Sequence, residues 1–144
     1  MVLKAFGAQI GDRSDVRGSV KVWYPPHLIL RDRSILADGV DCYNMAPIYI
    51  GSDTIVSQRA YLCAGTHDFE DPHFQLIARP IEIGDNVWVA AEAFVGPGVK
   101  IQEGVVLGAR AVACSNLDPW LIYAGNPAKA LRPRSTTGRR GKEG

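Results

Sequence analysis

His67 stands between Thr66 and Asp68, where a regular apolar pattern breaks off. An imidazole at the mouth of a loop can reach a substrate, and its ordinary pKa suits proton transfer near neutrality. The other two histidines, His27 and His73, lie forty and six residues away. Three imidazoles could hold zinc, but His27 follows Pro25-Pro26 at a corner and His73 falls in a loop, whereas zinc needs nitrogens placed at about 2.0–2.1 Å. Cys42, Cys63 and Cys114 are odd in number and sit at repeat positions, which suits reduced thiols better than disulfides. None has a neighbour that would activate it as a nucleophile. Lys129 and Arg132 follow the turn Gly125-Asn126-Pro127-Ala128 and are the best-placed cations for phosphate. Residues 135–144 read as a disordered basic tail. Gly96-Pro97-Gly98 lies inside the repeat with no long helix after it, so it does not read as a phosphate loop.

These groups are carried by a pattern of period six. Ile83, Val89, Val95, Ile101, Leu107 and Ala113 form an unbroken run. Short slips extend it into blocks 10–27, 30–47, 50–67, 83–100 and 101–118. One column reads Ile10, Leu30, Ile50, Ile83, Ile101; the next Val16, Leu36, Val56, Val89, Leu107; the third Val22, Cys42, Leu62, Val95, Ala113. Four residues beyond each lies a second inward set, small or β-branched with few exceptions, whose last column is Pro26, Ala46, Thr66, Val99, Leu117. Such hexads predict an all-β parallel β-helix in one domain over 1–134, each triangular coil completing its neighbour's core. Gly11, Gly51, Gly84, Gly96, Gly104 and Gly108 fall near the corners, where a positive φ is expected. The stretch 68–82 must leave the wall as a loop, and Trp88, next to an inward residue, must face outward. A net charge of +1 argues against general nucleic-acid binding. With no apolar stretch long enough for a membrane span and no signal-peptide pattern in Met1-Val2-Leu3-Lys4, the expectation is a cytoplasmic protein.

Phe6-Gly7-Ala8-Gln9-Ile10-Gly11, Val22-Trp23-Tyr24-Pro25, Tyr43-Asn44-Met45-Ala46-Pro47-Ile48, Leu62-Cys63-Ala64-Gly65-Thr66-His67-Asp68, Ile83-Gly84-Asp85-Asn86-Val87-Trp88-Val89 and Ala124-Gly125-Asn126-Pro127-Ala128-Lys129 occur in this order. Together they resemble the hexapeptide-repeat acyltransferases of left-handed parallel β-helix fold, in particular the sugar and polysaccharide O-acetyltransferases of the colanic acid type. The resemblance implies a homotrimer with active sites between subunits, acetyl-CoA as co-substrate, a sugar hydroxyl as acceptor and no metal. It makes His67 the general base and puts Asn44 and Asp68 at the acceptor. Trp88, Ala91, Ala109, Cys114, Ser115, Lys129 and Arg132 fall near the coenzyme. Where many relatives carry a Lys-Asp pair before a Pro-Trp turn, this chain reads Asn116-Leu117-Asp118-Pro119-Trp120, one cation fewer. Two other readings stand beside it: a zinc enzyme of the γ-carbonic anhydrase type, which shares the fold, and a non-catalytic β-helix scaffold.

Overall fold

The computed structural model describes residues 2–135 as a parallel β-solenoid with three walls. The first wall stacks Gln9–Ile10, Leu28–Leu30, Ile48–Ile50, Ile81–Ile83 and Lys100–Ile101. The second stacks Asp15–Val16, Ile35–Leu36, Ile55–Val56, Trp88–Val89 and Val106–Leu107, and the C-terminal segment extends it. The third stacks Lys21–Val22, Asp41–Tyr43, Tyr61–Cys63, Phe94–Val95 and Val112–Ala113. Ile10, Leu30, Ile50, Ile83 and Ile101 are each other's register partners and all are buried. Because every coil lays an apolar residue on the same three columns, each rung removes its neighbour's apolar surface from water.

The other two columns are buried from the second coil onward. Val16 and Val22 are half-buried because the first coil has a neighbour on one side only. Leu3, from the short helix Val2–Ala5, packs against that open end. Among the described residues no helix is long and apolar enough to cross a membrane.

Three expectations are corrected. Pro26 and Thr66 are exposed and do not point inward. The early blocks are spaced by twenty residues, and the buried positions after this corner are Leu28, Ile48 and Ile81. The excursion begins and ends earlier than 68–82: Gly65–His67 already pairs antiparallel with Leu76–Ala78, and the chain re-enters the first wall at Ile81, fully buried against Ile48. Finally, of the six corner glycines only Gly104 has positive φ. Left-handed corners fall instead on Arg13, Arg33, Asp53, Arg59, Asn86, Glu92, Arg110 and Trp120. Gly11 and Gly51 answer close approach, since a Cβ there would overlap Asp32 or Asp85 of the next rung.

At the C-terminal end Leu121–Ala124 adds to the second wall on Val106–Leu107, and Lys129–Pro133 folds back on it antiparallel. Arg134 Nη1–H donates to the carbonyls of Asn86 (2.7 Å) and Gly104 (3.1 Å), and its guanidinium lies 5.5 Å from the Trp120 ring centroid. That clasp anchors the returning strand across two coils. Ser135 is the only described residue of the expected 135–144 tail; the rest of that segment lies outside the described residues.

Candidate active site

The hairpin that interrupts the third coil begins where Gly65 crosses the Tyr43 ring. A Cβ on Gly65 would lie 2.7 Å from Tyr43 Cε1, so only glycine lets the strand pass at this height. Two residues later His67 is exposed, with its Nδ1 2.7 Å from the Phe74 carbonyl oxygen across the hairpin. A carbonyl can only accept, so Nδ1 carries the proton and donates. Nε2 is thereby left as the basic nitrogen of the neutral ring, and it has no partner among the described residues. Asp68 continues the hairpin: its N–H donates to the Gln75 carbonyl (2.8 Å) and its Oδ1 accepts the Glu70 N–H (3.0 Å).

Asn44, expected at the acceptor, is turned inward within one chain. Asn44 is fully buried; its Nδ2–H donates to the Tyr24 carbonyl (2.8 Å) and its Oδ1 accepts the Tyr24 N–H (2.9 Å). Both ends of the amide tie one rung to the next, so the side chain serves the stack of rungs within one chain. His27 donates from Nδ1 to the Asn44 carbonyl (3.1 Å) and meets the Tyr24 ring edge-on at 4.6 Å. Among the described residues no three His, Cys, Asp or Glu are grouped to hold a metal ion, so one chain offers the zinc reading no ligand set.

All three cysteines are free. Burial pushes the Cys42 thiol up to about 12, with Asp41 adding to the effect. Burial also raises Cys63, whose Sγ–H donates to the Gly65 carbonyl (3.0 Å).

The remaining expected site residues fall on two different edges of the solenoid. Trp88 does face outward from the second wall, 47% exposed, with Nε1–H donating to Ser57 Oγ at 2.9 Å. Ala91 and Ala109 lie one rung apart at the edge between second and third walls, where the Arg110 N–H donates to the Ala91 carbonyl (2.9 Å). The final turn seats on that edge through Val112, whose N–H donates to Gly125 and whose carbonyl accepts from Ala128. This brings Lys129 to the same edge, exposed, while Arg132 pairs with Ile122 in the second wall and is also exposed. Cys114 and Ser115 instead follow Val112–Ala113 on the far side of the third wall, the edge from which the His67 hairpin departs two rungs earlier; both are exposed. The third wall therefore separates His67 from Trp88, Ala91, Ala109 and Lys129.

One charged feature was not expected. Glu92, at the edge with Ala91, accepts from Arg110 Nε (2.7 Å) and from Arg59 Nη2 (2.7 Å) on the rungs to either side. The Arg110 hydrogen bond first, and then Arg59, hold its carboxyl below the ordinary range. Reading the blocks down this corner, where Arg59, Glu92 and Arg110 stack, would have shown the ladder.

Residues 80–113 match the family described as bacterial transferase hexapeptide (six repeats). Over 136 residues the chain is 42% identical to the protein named colanic acid biosynthesis acetyltransferase WcaF of Escherichia coli (strain K12), covering 94% of this chain and 75% of that one. It is 46% identical over 52 residues to a chloramphenicol acetyltransferase of Escherichia coli, covering 36% of this chain and 25% of that one. In fold it is similar to a maltose O-acetyltransferase from Clostridium difficile 630, with TM-score 0.86 at 21% identity over 93% of this chain and 73% of that one. A hexapeptide-repeat acetyltransferase from Vibrio cholerae, solved with acetyl-CoA, gives TM-score 0.85 at 21% identity over 93% of this chain and 75% of that one. With its stacked hexads and this identity along nearly its whole length, the chain belongs to the hexapeptide-repeat acetyltransferase family.

Proposed function

We propose that the protein transfers an acetyl group from acetyl-CoA to a sugar hydroxyl, with His67 as general base, in a homotrimer whose sites lie between subunits. The observation that carries this reading is the 2.7 Å hydrogen bond from His67 Nδ1–H to the Phe74 carbonyl, which turns a free, basic Nε2 to the surface. Nε2 takes the acceptor proton as the hydroxyl oxygen attacks the thioester carbonyl carbon. The imidazolium then returns that proton to the sulfur as the C–S bond breaks, so the base is regenerated. Backbone N–H groups serve the tetrahedral oxyanion.

Lys129 and Arg132 suit coenzyme phosphates, being exposed cations on a strand fixed by its pairing to Leu121–Ala124. Trp88 offers a flat apolar face for the pantetheine arm. Because His67 and this set occupy different edges of one chain, a neighbouring copy would be needed to close the groove, which is the physical support for the trimer. The substrate class is taken from the relatives: one is named for colanic acid biosynthesis and another is a maltose O-acetyltransferase.

The test is thiol release from acetyl-CoA against a panel of sugars and nucleotide sugars. His67→Ala is expected to lower kcat by roughly 10²-fold or more while leaving acetyl-CoA affinity near wild type, because only proton removal is lost. An equally active variant removes His67 from the role. Wild-type protein that binds acetyl-CoA but releases no thiol with any acceptor supports the scaffold reading.

A further inference from the structure

We propose that Asp71 is a positioning residue, whose turn delivers the Phe74 carbonyl that holds His67 in the tautomer with a basic Nε2. The proposal rests on the reading of His67 as the base. Asp71-Pro72-His73-Phe74 closes on itself: the Phe74 N–H donates to the Asp71 carbonyl (2.9 Å) and the His73 N–H donates to Asp71 Oδ1 (3.0 Å). Aspartate at the first position and proline at the second suit a type I turn, whose fourth position favours glycine. Here the fourth position is Phe74, with φ of +49°.

A bulky side chain in the left-handed region persists only where its surroundings impose it. The imposing contacts are the two Asp71 bonds on one side and the Asp68 N–H to the Gln75 carbonyl on the other. The result of that backbone twist is that the Phe74 carbonyl meets His67 Nδ1–H. Asp71 thus acts through the turn and not on the imidazole: its hydrogen bonds go to the backbone of His73 and Phe74. A neutral histidine released from the carbonyl exchanges between tautomers, and the form protonated on Nε2 cannot accept the acceptor's proton there.

The experiment is ¹⁵N NMR of the imidazole nitrogens in the full chain, with His27→Gln and His73→Gln used to identify His67, beside steady-state thiol release. In wild type the neutral His67 is expected to carry its proton on Nδ1. Asp71→Asn keeps the Oδ1 acceptor and is expected to match wild type in tautomer and in kcat. Asp71→Ala is expected to give a tautomer mixture. Its kcat should fall on the order of tenfold, tracking the competent fraction, with the acetyl-CoA KM within about twofold.

Asp71→Ala that keeps the wild-type tautomer overturns the proposal, as does lost activity in Asp71→Asn with the tautomer unchanged. Should Asp71→Ala aggregate, Asp71→Gly, which likewise lacks the acceptor, decides: a tautomer mixture with lowered kcat supports the proposal, and a wild-type ratio overturns it. A fully active His67→Ala variant would defeat the base assignment instead, and the NMR arm would still report on the turn by itself.

Discussion

Gly65→Ala tests the link between wall packing and chemistry, because this residue carries the strand on which His67 sits. The added Cβ would stand 2.7 Å from Tyr43 Cε1, 3.3 Å from its Cδ1 and 3.4 Å from Met45 Cγ. Against an ordinary carbon–carbon contact the closest of these is short by about 0.8 Å or more. The Tyr43 ring is not free to retreat, since the Trp23 ring packs edge-on to it at 5.1 Å and 89°. Trp23 in turn is held by its Nε1–H to Asp41 Oδ1 (3.1 Å). The Gly65–His67 strand is the softer partner, being the first segment outside the wall and paired only with Leu76–Ala78. It should move by much of the shortfall and take the imidazole with it. A displacement of about 1 Å at a reacting group costs roughly 10²-fold in rate, so a kcat fall between about tenfold and a hundredfold is expected. The overpacking itself should remove about 1–3 kcal/mol of stability. The assay is thiol release at saturating acetyl-CoA, run as a double-mutant cycle with Tyr43→Ala. If the clash is the cause, Gly65→Ala costs far less in the Tyr43→Ala background. Wild-type kcat in the Gly65→Ala single variant, or the same loss in both backgrounds, refutes the reasoning.

Replacing Lys129 and Arg132 together with Ala is expected to raise the acetyl-CoA KM by about tenfold while changing kcat little, since phosphate contacts hold ground state and transition state alike. A truncated thioester donor without the nucleotide should show no such defect; an equal loss with both donors would assign the pair to folding or assembly. Thr54→Val is expected to destabilise the fold by about 2–4 kcal/mol in chemical denaturation, leaving unpaired one partly buried group, which water can reach, at about 1 kcal/mol, and one buried group, at about 1–3 kcal/mol. They are the Gly84 carbonyl, which accepts from Thr54 Oγ1 at 2.8 Å, and the Val87 N–H, which donates to it at 3.2 Å. A loss below about 0.5 kcal/mol would mean that the rungs shift to satisfy those groups in another way.

The columns Ile10 to Ile101 and Leu36 to Leu107 were legible because an inward position in a solenoid has one requirement, an apolar shape that stacks, and residue type reports it directly. Edges obey two requirements at once, backbone conformation and contact between rungs, and there residue type misleads. Glycine suggested left-handed corners, yet Arg13, Arg33 and Asp53 hold them, and Arg33 answers Asp53 with a pair of hydrogen bonds at 2.8 and 2.9 Å. The glycines at 11 and 51 were needed for space between neighbouring rungs, which only the register reveals.

Asn44 and His67 show the same division within the candidate site. Both are polar, both follow a third-wall strand and both looked able to meet an acceptor. What separates them is the path of the chain just after each. Beyond Asn44 the backbone continues through Ala46 into Ile48–Ile50, so the wall closes over the side chain and its amide must find partners inside; the Tyr24 backbone supplies both. Beyond Ala64 the backbone leaves the wall at Gly65, the first wall resumes only at Ile81, and the hairpin between them carries His67 out to solvent. Tyr43 pairs with Cys63, so Asn44 aligns with Ala64, which is buried as well; His67 lies three residues beyond that buried position, after the chain has left the wall.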